Sequence, residues 1–223
     1  MAPDNIVLKA ATWIVPLVFA IVLHEISHGW VASAFGDPTA RDKGRLSLNP
    51  IRHVDPFGTI ALPLVLAVSG APVFGWAKPV PVIARRMRRP RLHMVLVALA
   101  GPGMNLLLAL LATLALALLR WLAPADGIGW AFLYLNLANF LVINVFLAVF
   151  NLLPIPPFDG GHVVEGLLPR RLVRPWRRLG RFGFPLLVVL LVLLPMVAPG
   201  ANIVARVVGP PVGWTIRLLA GLI

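Results

Sequence analysis

The sequence predicts an all-α polytopic membrane protein with three long core helices, re-entrant or β-like segments on the cytoplasmic side, and additional C-terminal membrane helices. Of its 223 residues, 59% are hydrophobic and 13% are charged, whereas about 25% of an ordinary soluble domain is charged. Long apolar runs alternate with short arginine-rich segments, as the positive-inside rule describes. The net charge of +12 therefore does not indicate a nucleic-acid-binding protein. The absence of cysteine excludes disulfides and thiolate metal sites.

The first apolar run, residues 6–35, predicts a membrane helix. At 1.5 Å per residue it can cross about 30 Å of hydrocarbon with some tilt. Pro16 predicts a kink, and the sequence Gly36-Asp37-Pro38 predicts the end of the helix. The run is too long for the apolar region of a signal peptide, so we expect it to be retained.

The centre of this helix carries the most informative motif of the chain. His24 and His28 stand four residues apart, so their imidazoles project from one helix face at the spacing of two zinc ligands. Glu25 beside them can act as a general base toward water. A packing role or a chance match is the alternative, but unpaired ionisable groups are costly at membrane depth. Because a catalytic zinc site normally has three protein ligands, another segment must supply the third.

The region between the first two long helices predicts short, irregular elements. Residues 45–49 alternate polar and apolar side chains, which predicts a short strand. Residues 59–74 are apolar but interrupted by proline and glycine, so we expect a re-entrant or interfacial segment and not a full span. Residues 74–82 predict an extended segment, because Pro79 and Pro81 exclude helix. A cluster of five arginines follows at 85–91.

Two further long helices are predicted at 92–121 and 129–153, joined by a short turn around 124–127. Small residues at 98, 100, 101 and 103 permit close helix contact. The second of these helices carries asparagines that we expect to form interhelical hydrogen bonds, namely Asn136, Asn139 and Asn144.

The segment after these helices contains the candidate for the third ligand. Prolines 154, 156 and 157 end the helix, and Asp159 follows, directly before Gly160 and Gly161. A loop aspartate is usually a cap or turn residue. Asp159, however, is the one carboxylate at the end of a membrane helix, which makes it the natural third ligand.

The C-terminal part predicts a second basic segment at 170–181, another span at 182–199, and a last apolar segment at 201–223 broken by Gly209-Pro210-Pro211. We expect one membrane domain, residues 1–223, with a core at about 6–162 and C-terminal membrane helices at about 182–223. If Asp159 joins the two histidines, the ends of the first and third long helices share one side, so 59–74 cannot span. The basic segments fall on that side, which predicts a cytoplasmic side near the metal and an external N-terminus.

These motifs resemble the site-2 protease family of intramembrane zinc metalloproteases. The resemblance rests on the histidine motif, on Ala100 to Asn105, and on Asn151 and Pro154 leading to Asp159. The segments 49–59 and 75–81 resemble a compact prokaryotic branch without a PDZ or CBS domain. The resemblance implies one zinc ion held by His24, His28 and Asp159, with Glu25 as catalytic base and Asn151 near the substrate backbone. It also implies transmembrane protein substrates and a prokaryotic plasma membrane.

Other assignments and alternatives complete the sequence-based hypothesis. Asn151 could instead cap the end of its helix, and His53 is expected to line the site or to shield the metal. For His93 and His162 we expect surface positions. The expected partners are the lipid bilayer and transmembrane proteins within it. No nucleic acid is expected as a partner. The alternatives are a zinc transporter, which does not need a glutamate directly after the first histidine, and a zinc-binding scaffold without turnover.

Overall fold

The computed structural model of the chain describes residues 6–70, 75–122, 127–198 and 203–222. Three long apolar helices dominate the described residues: α1 (Ile6–Ala34), α4 (Pro90–Trp121) and α5 (Ile128–Asn151). Each is long and apolar enough to cross a membrane. Their bounds agree with the three predicted runs to within two residues, which confirms an all-α polytopic membrane protein. Residues 124–126 of the predicted turn lie outside the described residues.

The three long helices pack against one another and form the frame of the molecule. Pro90 begins α4, where its missing N–H costs no helical hydrogen bond. Two of the predicted interhelical hydrogen bonds are confirmed: Asn139 donates to the carbonyl of Thr12 at 2.7 Å, and Asn144 accepts from Asn105 at 2.8 Å. The third prediction is wrong, because Asn136 donates to Phe132 in its own helix.

The chain between α1 and α4 contains short elements: α2 (Thr39–Asp42), a 3₁₀ turn (Pro50–His53), a π-type turn (Pro56–Ala61), α3 (Leu62–Val68) and a second 3₁₀ turn (Ala84–Arg86). The apolar helix at Pro56–Val68 is too short to cross a membrane, as the sequence predicted. Residues 71–74, the end of the predicted re-entrant segment, lie outside the described residues.

The predicted strand at 45–49 is wrong, and the described residues contain no strand. Side chains in this stretch bond to nearby backbone instead. The N–H of Asn49 donates to Ser47 Oγ at 3.2 Å, and Asn49 caps the following 3₁₀ turn by accepting from the N–H of Ile51 at 3.0 Å. Such local bonds compete with strand pairing. Residues 75–83, in contrast, form neither helix nor strand and run as an irregular extended segment. We call them the extended segment.

The chain after α5 forms shorter helices: α6 (Asp159–Leu167), α7 (Arg170–Gly180), α8 (Gly183–Val188), a π-type turn (Val189–Leu193), α9 (Leu194–Val197) and α10 (Ile203–Ala220). The predicted span at 182–199 is not confirmed, because the apolar helix there, Gly183–Leu193, is too short. Leu187, on α8, lines the cavity described below. Leu66 on α3 packs against Val192 in the π-type turn. The last helix, α10, packs against α5.

Candidate metal centre

His24 and His28 on α1 meet Asp159 at the start of α6. The two Nε2 atoms lie 3.1 Å apart, and Asp159 Oδ2 lies 3.2 Å from the first and 3.4 Å from the second. Both histidines are buried, and the aspartate is partly buried. The three residues that the sequence predicted as ligands therefore converge on one point.

The donor atoms of this cluster fit a zinc ion. Ligand atoms around tetrahedral zinc, at bond lengths of about 2.0 to 2.1 Å, are separated by about 3.3 to 3.4 Å, and the three separations here are close to that value. Asp159 Oδ2 is buried and has no hydrogen-bond donor among the described residues. A buried carboxylate oxygen facing two imidazole nitrogens without such a donor needs a cation for compensation.

Each imidazole directs Nε2 toward this point because Nδ1 is bonded elsewhere. Nδ1 of His24 lies 2.5 Å from Asn105 Oδ1, and Nδ1 of His28 lies 2.7 Å from the carbonyl oxygen of Val97. Both partners lie on α4. Such bonds from the nitrogen that does not bind metal fix the ring orientation of metal-binding histidines.

Gly101, also on α4, lets this helix approach the two imidazoles. A Cβ atom at this position would lie 2.5 Å from His24 Cε1 and 2.5 Å from His28 Nε2. Val97, Gly101 and Asn105 follow one another at intervals of four residues, so they lie on one face of α4. That face supplies both histidine partners and the space between them.

The two glycines after Asp159 allow α6 to begin where its carboxylate reaches the histidines. A Cβ atom on Gly160 would lie 2.4 Å from the carbonyl oxygens of Leu152 and Leu153. One on Gly161 would lie 2.7 Å from the nitrogen of Pro156. The chain from the end of α5 thus packs directly against the first turn of α6, and larger residues would push Asp159 away.

Glu25 is held by the extended segment. Its Oε2 accepts a hydrogen bond from the N–H of Val80 at 2.8 Å. The N–H groups of Trp76 and Lys78 donate to the carbonyls of Gly58 and His53, at 3.1 and 2.8 Å. Bonding by alternate residues is the pattern of an extended chain, so one edge of the segment is anchored to α1 and to the loop before α3.

A cavity of about 890 Å³ opens beside the candidate metal ligands. His24, Glu25, His28 and Asp159 lie in its wall, which is otherwise mostly apolar. The extended segment forms another part of the wall, and aromatic side chains complete it, among them Phe57, Trp76, Phe150, Phe158 and Phe184.

Asn151 and His53 occupy different positions relative to this cavity. Asn151 lies in its wall, and its amide donates to the carbonyl of Leu147 one turn earlier in α5, at 3.0 Å. His53 is not among the cavity-lining residues. It is buried, and its Nε2 lies 2.8 Å from the carbonyl oxygen of Ser47. The imidazole of His53 thus packs inside the loop, while its carbonyl holds Lys78.

The expectation of a surface position holds for one of the two remaining histidines. His162 is exposed and lies in the cavity wall. His93 is buried, so its predicted surface position is wrong. Its ring stacks on Phe35 with centroids 4.0 Å apart, because α4 begins beside the end of α1. Sequence periodicity does not report such a contact.

Sequence reasoning missed the residues that support the ligands. Gly101 was recognised only as a small residue, and neither Asn105 nor the carbonyl of Val97 was linked to a histidine. The available signal was their spacing of four residues, which equals the spacing of the two histidines on α1. Nothing in the sequence indicated that the N–H of Val80 would hold Glu25.

Three apolar helices that enclose two histidines, an aspartate and an adjacent glutamate define a membrane metallopeptidase. Comparisons with known proteins agree. The family model described as peptidase family M50 matches residues 123–194. The chain is 37% identical over 206 residues to YwhC of Bacillus subtilis, named as a zinc metalloprotease, covering 86% of this chain and 89% of that protein.

A second named relative is Rip2 of Mycolicibacterium smegmatis, also named as a zinc metalloprotease. The chain is 33% identical to it over 187 residues, covering 83% of this chain and 67% of the relative. No solved structure matches the chain. The chain belongs to peptidase family M50, the site-2 protease family. It is a zinc metallopeptidase of the membrane.

Proposed function

We propose that the chain performs regulated intramembrane proteolysis: it hydrolyses peptide bonds in or near transmembrane segments of other membrane proteins. The observation that carries this proposal is the position of the metal centre. His24, Glu25 and His28 lie inside the apolar helix α1, beside a cavity with mostly apolar walls. A transmembrane segment has the apolar side chains that such a cavity accommodates.

The residues of the site have separable roles in this reaction. His24, His28 and Asp159 would hold zinc, which would supply Lewis-acid chemistry toward water and a peptide carbonyl. The Glu25 carboxylate accepts the proton of the attacking water and returns a proton to the leaving amine. The N–H of Val80 keeps this carboxylate oriented between proton transfers.

The extended segment is the proposed binding edge for the substrate backbone. A helical substrate hides its peptide bonds, so it must unwind near the site. Ala77 lies in the cavity wall between the anchored residues Trp76 and Lys78. An unwound substrate can add as a strand to the edge of the extended segment opposite the one that bonds to Glu25. Because Pro79 and Pro81 lack N–H groups, the edge offers few donors, which favours a short contact.

The side-chain amide of Asn151 is a further candidate contact for the substrate. Its Nδ2 already donates to its own helix, but an amide nitrogen carries two hydrogens and the oxygen can accept as well. A contact to the substrate backbone is therefore compatible with the helix-capping role.

The orientation in the membrane is part of the proposal. The basic segments at 85–91 and 170–181 and the metal centre lie on the cytoplasmic side of a multi-pass protein of the prokaryotic plasma membrane. The distribution of arginines supports this orientation through the positive-inside rule.

Glu25→Gln tests the proposal against a transporter or a scaffold. The substitution preserves size and leaves the three zinc ligands in place but removes the base. We expect zinc content to stay near one per chain, while cleavage of a single-pass membrane substrate in liposomes falls by about 10² to 10⁴-fold.

The matched control is Glu165→Gln, the same change at the other glutamate of the chain. Glu165 pairs with Arg177 at 2.7 Å near the surface, so its loss should leave cleavage unchanged. Near-normal cleavage by zinc-loaded Glu25→Gln protein would exclude Glu25 as the base. Zinc movement across liposomes without any cleavage would favour a transporter.

A further inference from the structure

A buried hydrogen-bond chain connects His24 to the backbone of α5 through two asparagines. His24 Nδ1 lies 2.5 Å from Asn105 Oδ1, and Asn105 Nδ2 donates to Asn144 Oδ1 at 2.8 Å. Asn144 Nδ2 in turn donates to the carbonyl of Phe140 at 2.8 Å. Both asparagines are fully buried. The chain passes through α1, α4 and α5, the three long helices of the frame.

The direction of this chain is fixed at its far end. The carbonyl of Phe140 can only accept, so the amide nitrogen of Asn144 must face it. The oxygen of Asn144 therefore faces Asn105 and requires the nitrogen of that amide. The carbonyl of Ala20, 3.4 Å from Asn105 Nδ2, requires the same orientation. Asn105 consequently presents its oxygen to His24.

The orientation of Asn105 determines the tautomer of His24. An amide oxygen is only an acceptor, so the hydrogen of the neutral imidazole must reside on Nδ1. Nε2 then carries a lone pair and points to Asp159 Oδ2 and His28 Nε2. This is the form that a zinc ligand requires.

We propose that Asn105 and Asn144 are positioning residues of the metal centre, which set the tautomer and ring orientation of His24 before zinc binds. The proposal depends on the zinc site and not on cleavage of any substrate. Neither residue contacts the metal position; Asn144 acts through Asn105, and Asn105 acts through His24.

Two other asparagines of α5, Asn136 and Asn139, provide a comparison for this arrangement. Asn136 donates to the carbonyl of Phe132 in its own helix, and Asn139 donates to the carbonyl of Thr12, which precedes His24 by twelve residues on α1. Within the described residues, neither amide is hydrogen-bonded to a histidine. They provide matched controls, because the same substitution there removes an amide from the same helix without affecting His24.

The experiment measures zinc affinity of the full-length protein in detergent by competition with a chelator. We expect Asn105→Leu to weaken zinc binding by about 10- to 100-fold, the usual effect of losing such an outer partner. Asn144→Leu should cause a smaller loss of zinc affinity, because Asn105 still faces His24 Nδ1 and is still oriented by its weak contact to the carbonyl of Ala20. Asn136→Leu should bind zinc like the wild type.

A conservative variant and a spectroscopic measurement separate positioning from simple packing. Asn105→Asp retains an oxygen acceptor for His24, so it should retain zinc affinity better than Asn105→Leu. In cobalt-substituted protein, Asn105→Leu should alter the visible absorption bands that report metal coordination geometry, whereas Asn136→Leu should not. A packing role alone would leave those bands unchanged.

The double variant Asn105→Leu with Asn144→Leu protects the test against misfolding, because removing both partners leaves neither amide unpaired. It should fold and still bind zinc weakly. Folded single and double variants with wild-type zinc affinity would overturn the proposal. So would equal losses in the Asn105, Asn144 and Asn136 variants, because those would indicate a general loosening of the bundle.

Discussion

The two histidines of the candidate metal centre sit one helical turn apart on α1, yet they are supported in different ways. His28 is bonded to the backbone carbonyl of Val97 on α4. His24 is bonded to a side chain, Asn105, which itself depends on Asn144. Both arrangements leave Nε2 directed at the metal position.

This difference separates what a substitution can remove from what it cannot. A backbone carbonyl remains whatever side chain occupies position 97, so the support of His28 depends only on the path of α4. The support of His24 depends on two residue identities and on the packing of three helices. We therefore expect the two sides of one metal centre to respond differently to substitution.

Gly101→Ala should have the largest effect, because it abolishes the difference by disturbing both histidines. The added methyl group would lie 2.5 Å from atoms of each imidazole. We expect zinc binding and peptidase activity to fall by at least about 10²-fold, since displacement by about 1 Å has that cost at a catalytic site.

The matched control for this experiment is Gly103→Ala, two residues further along α4. A Cβ atom at Gly103 meets nothing within 4 Å. This variant should keep its zinc, and metal analysis after purification distinguishes the two. Full zinc content and activity in Gly101→Ala would mean that α4 does not approach the ligands as closely as described.

Val97→Ala should have an intermediate effect and sharpen the comparison. The side chain of Val97 is buried in the core beside Met87 and Ala32, so its truncation should lower stability by about 1 to 3 kcal/mol. Its carbonyl remains, so zinc affinity should stay close to that of the wild type. Thermal unfolding and chelator competition measure the two properties separately. A loss of zinc affinity as large as that of Asn105→Leu would contradict the distinction between backbone and side-chain support.

Asp37 provides the smallest expected effect, at a side-chain anchor away from the metal. It follows α1 and accepts hydrogen bonds from the N–H of Ile83 at 2.5 Å and from Thr39. Burial raises the pKa of Asp37, but these hydrogen bonds and the charge of Arg86 outweigh burial and hold the pKa below its ordinary value. The stabilisation is therefore present above the unfolded pKa of about 3.9 and is lost as the pH falls through the folded pKa.

The measurement compares unfolding temperatures of wild type and Asp37→Asn in detergent. The wild type should be the more stable near neutral pH, and the gap should narrow below pH of about 3.9. A gap that is constant with pH would show that ionisation of Asp37 contributes nothing.

The sequence was most informative where a feature depends on neighbours along the chain. The three long helices follow from apolar runs, and the candidate ligands His24 and His28 follow from helical spacing. Asp159 followed from its place as the one carboxylate at the end of a membrane helix and from the family resemblance, and the argument about which helix ends share a side was built on it. Features that depend on contacts between distant segments could not be read. The strand expected at 45–49 does not form, because the side chains of Ser47 and Asn49 accept hydrogen bonds from nearby backbone N–H groups. The burial of His93 depends on its contact with Phe35.

Because the N–H of Val80 bonds to Glu25, the extended segment can fix the distance between Glu25 and a bound peptide. One edge of a single extended chain is bonded to Glu25, the proposed catalytic base, and the opposite edge is the proposed place for the substrate. Neighbouring extended chains lie about 4.8 Å apart. If a substrate peptide binds as proposed, backbone geometry would keep it at a fixed distance from the segment that holds Glu25, and the substrate residue opposite Ala77 would determine the position of the cut.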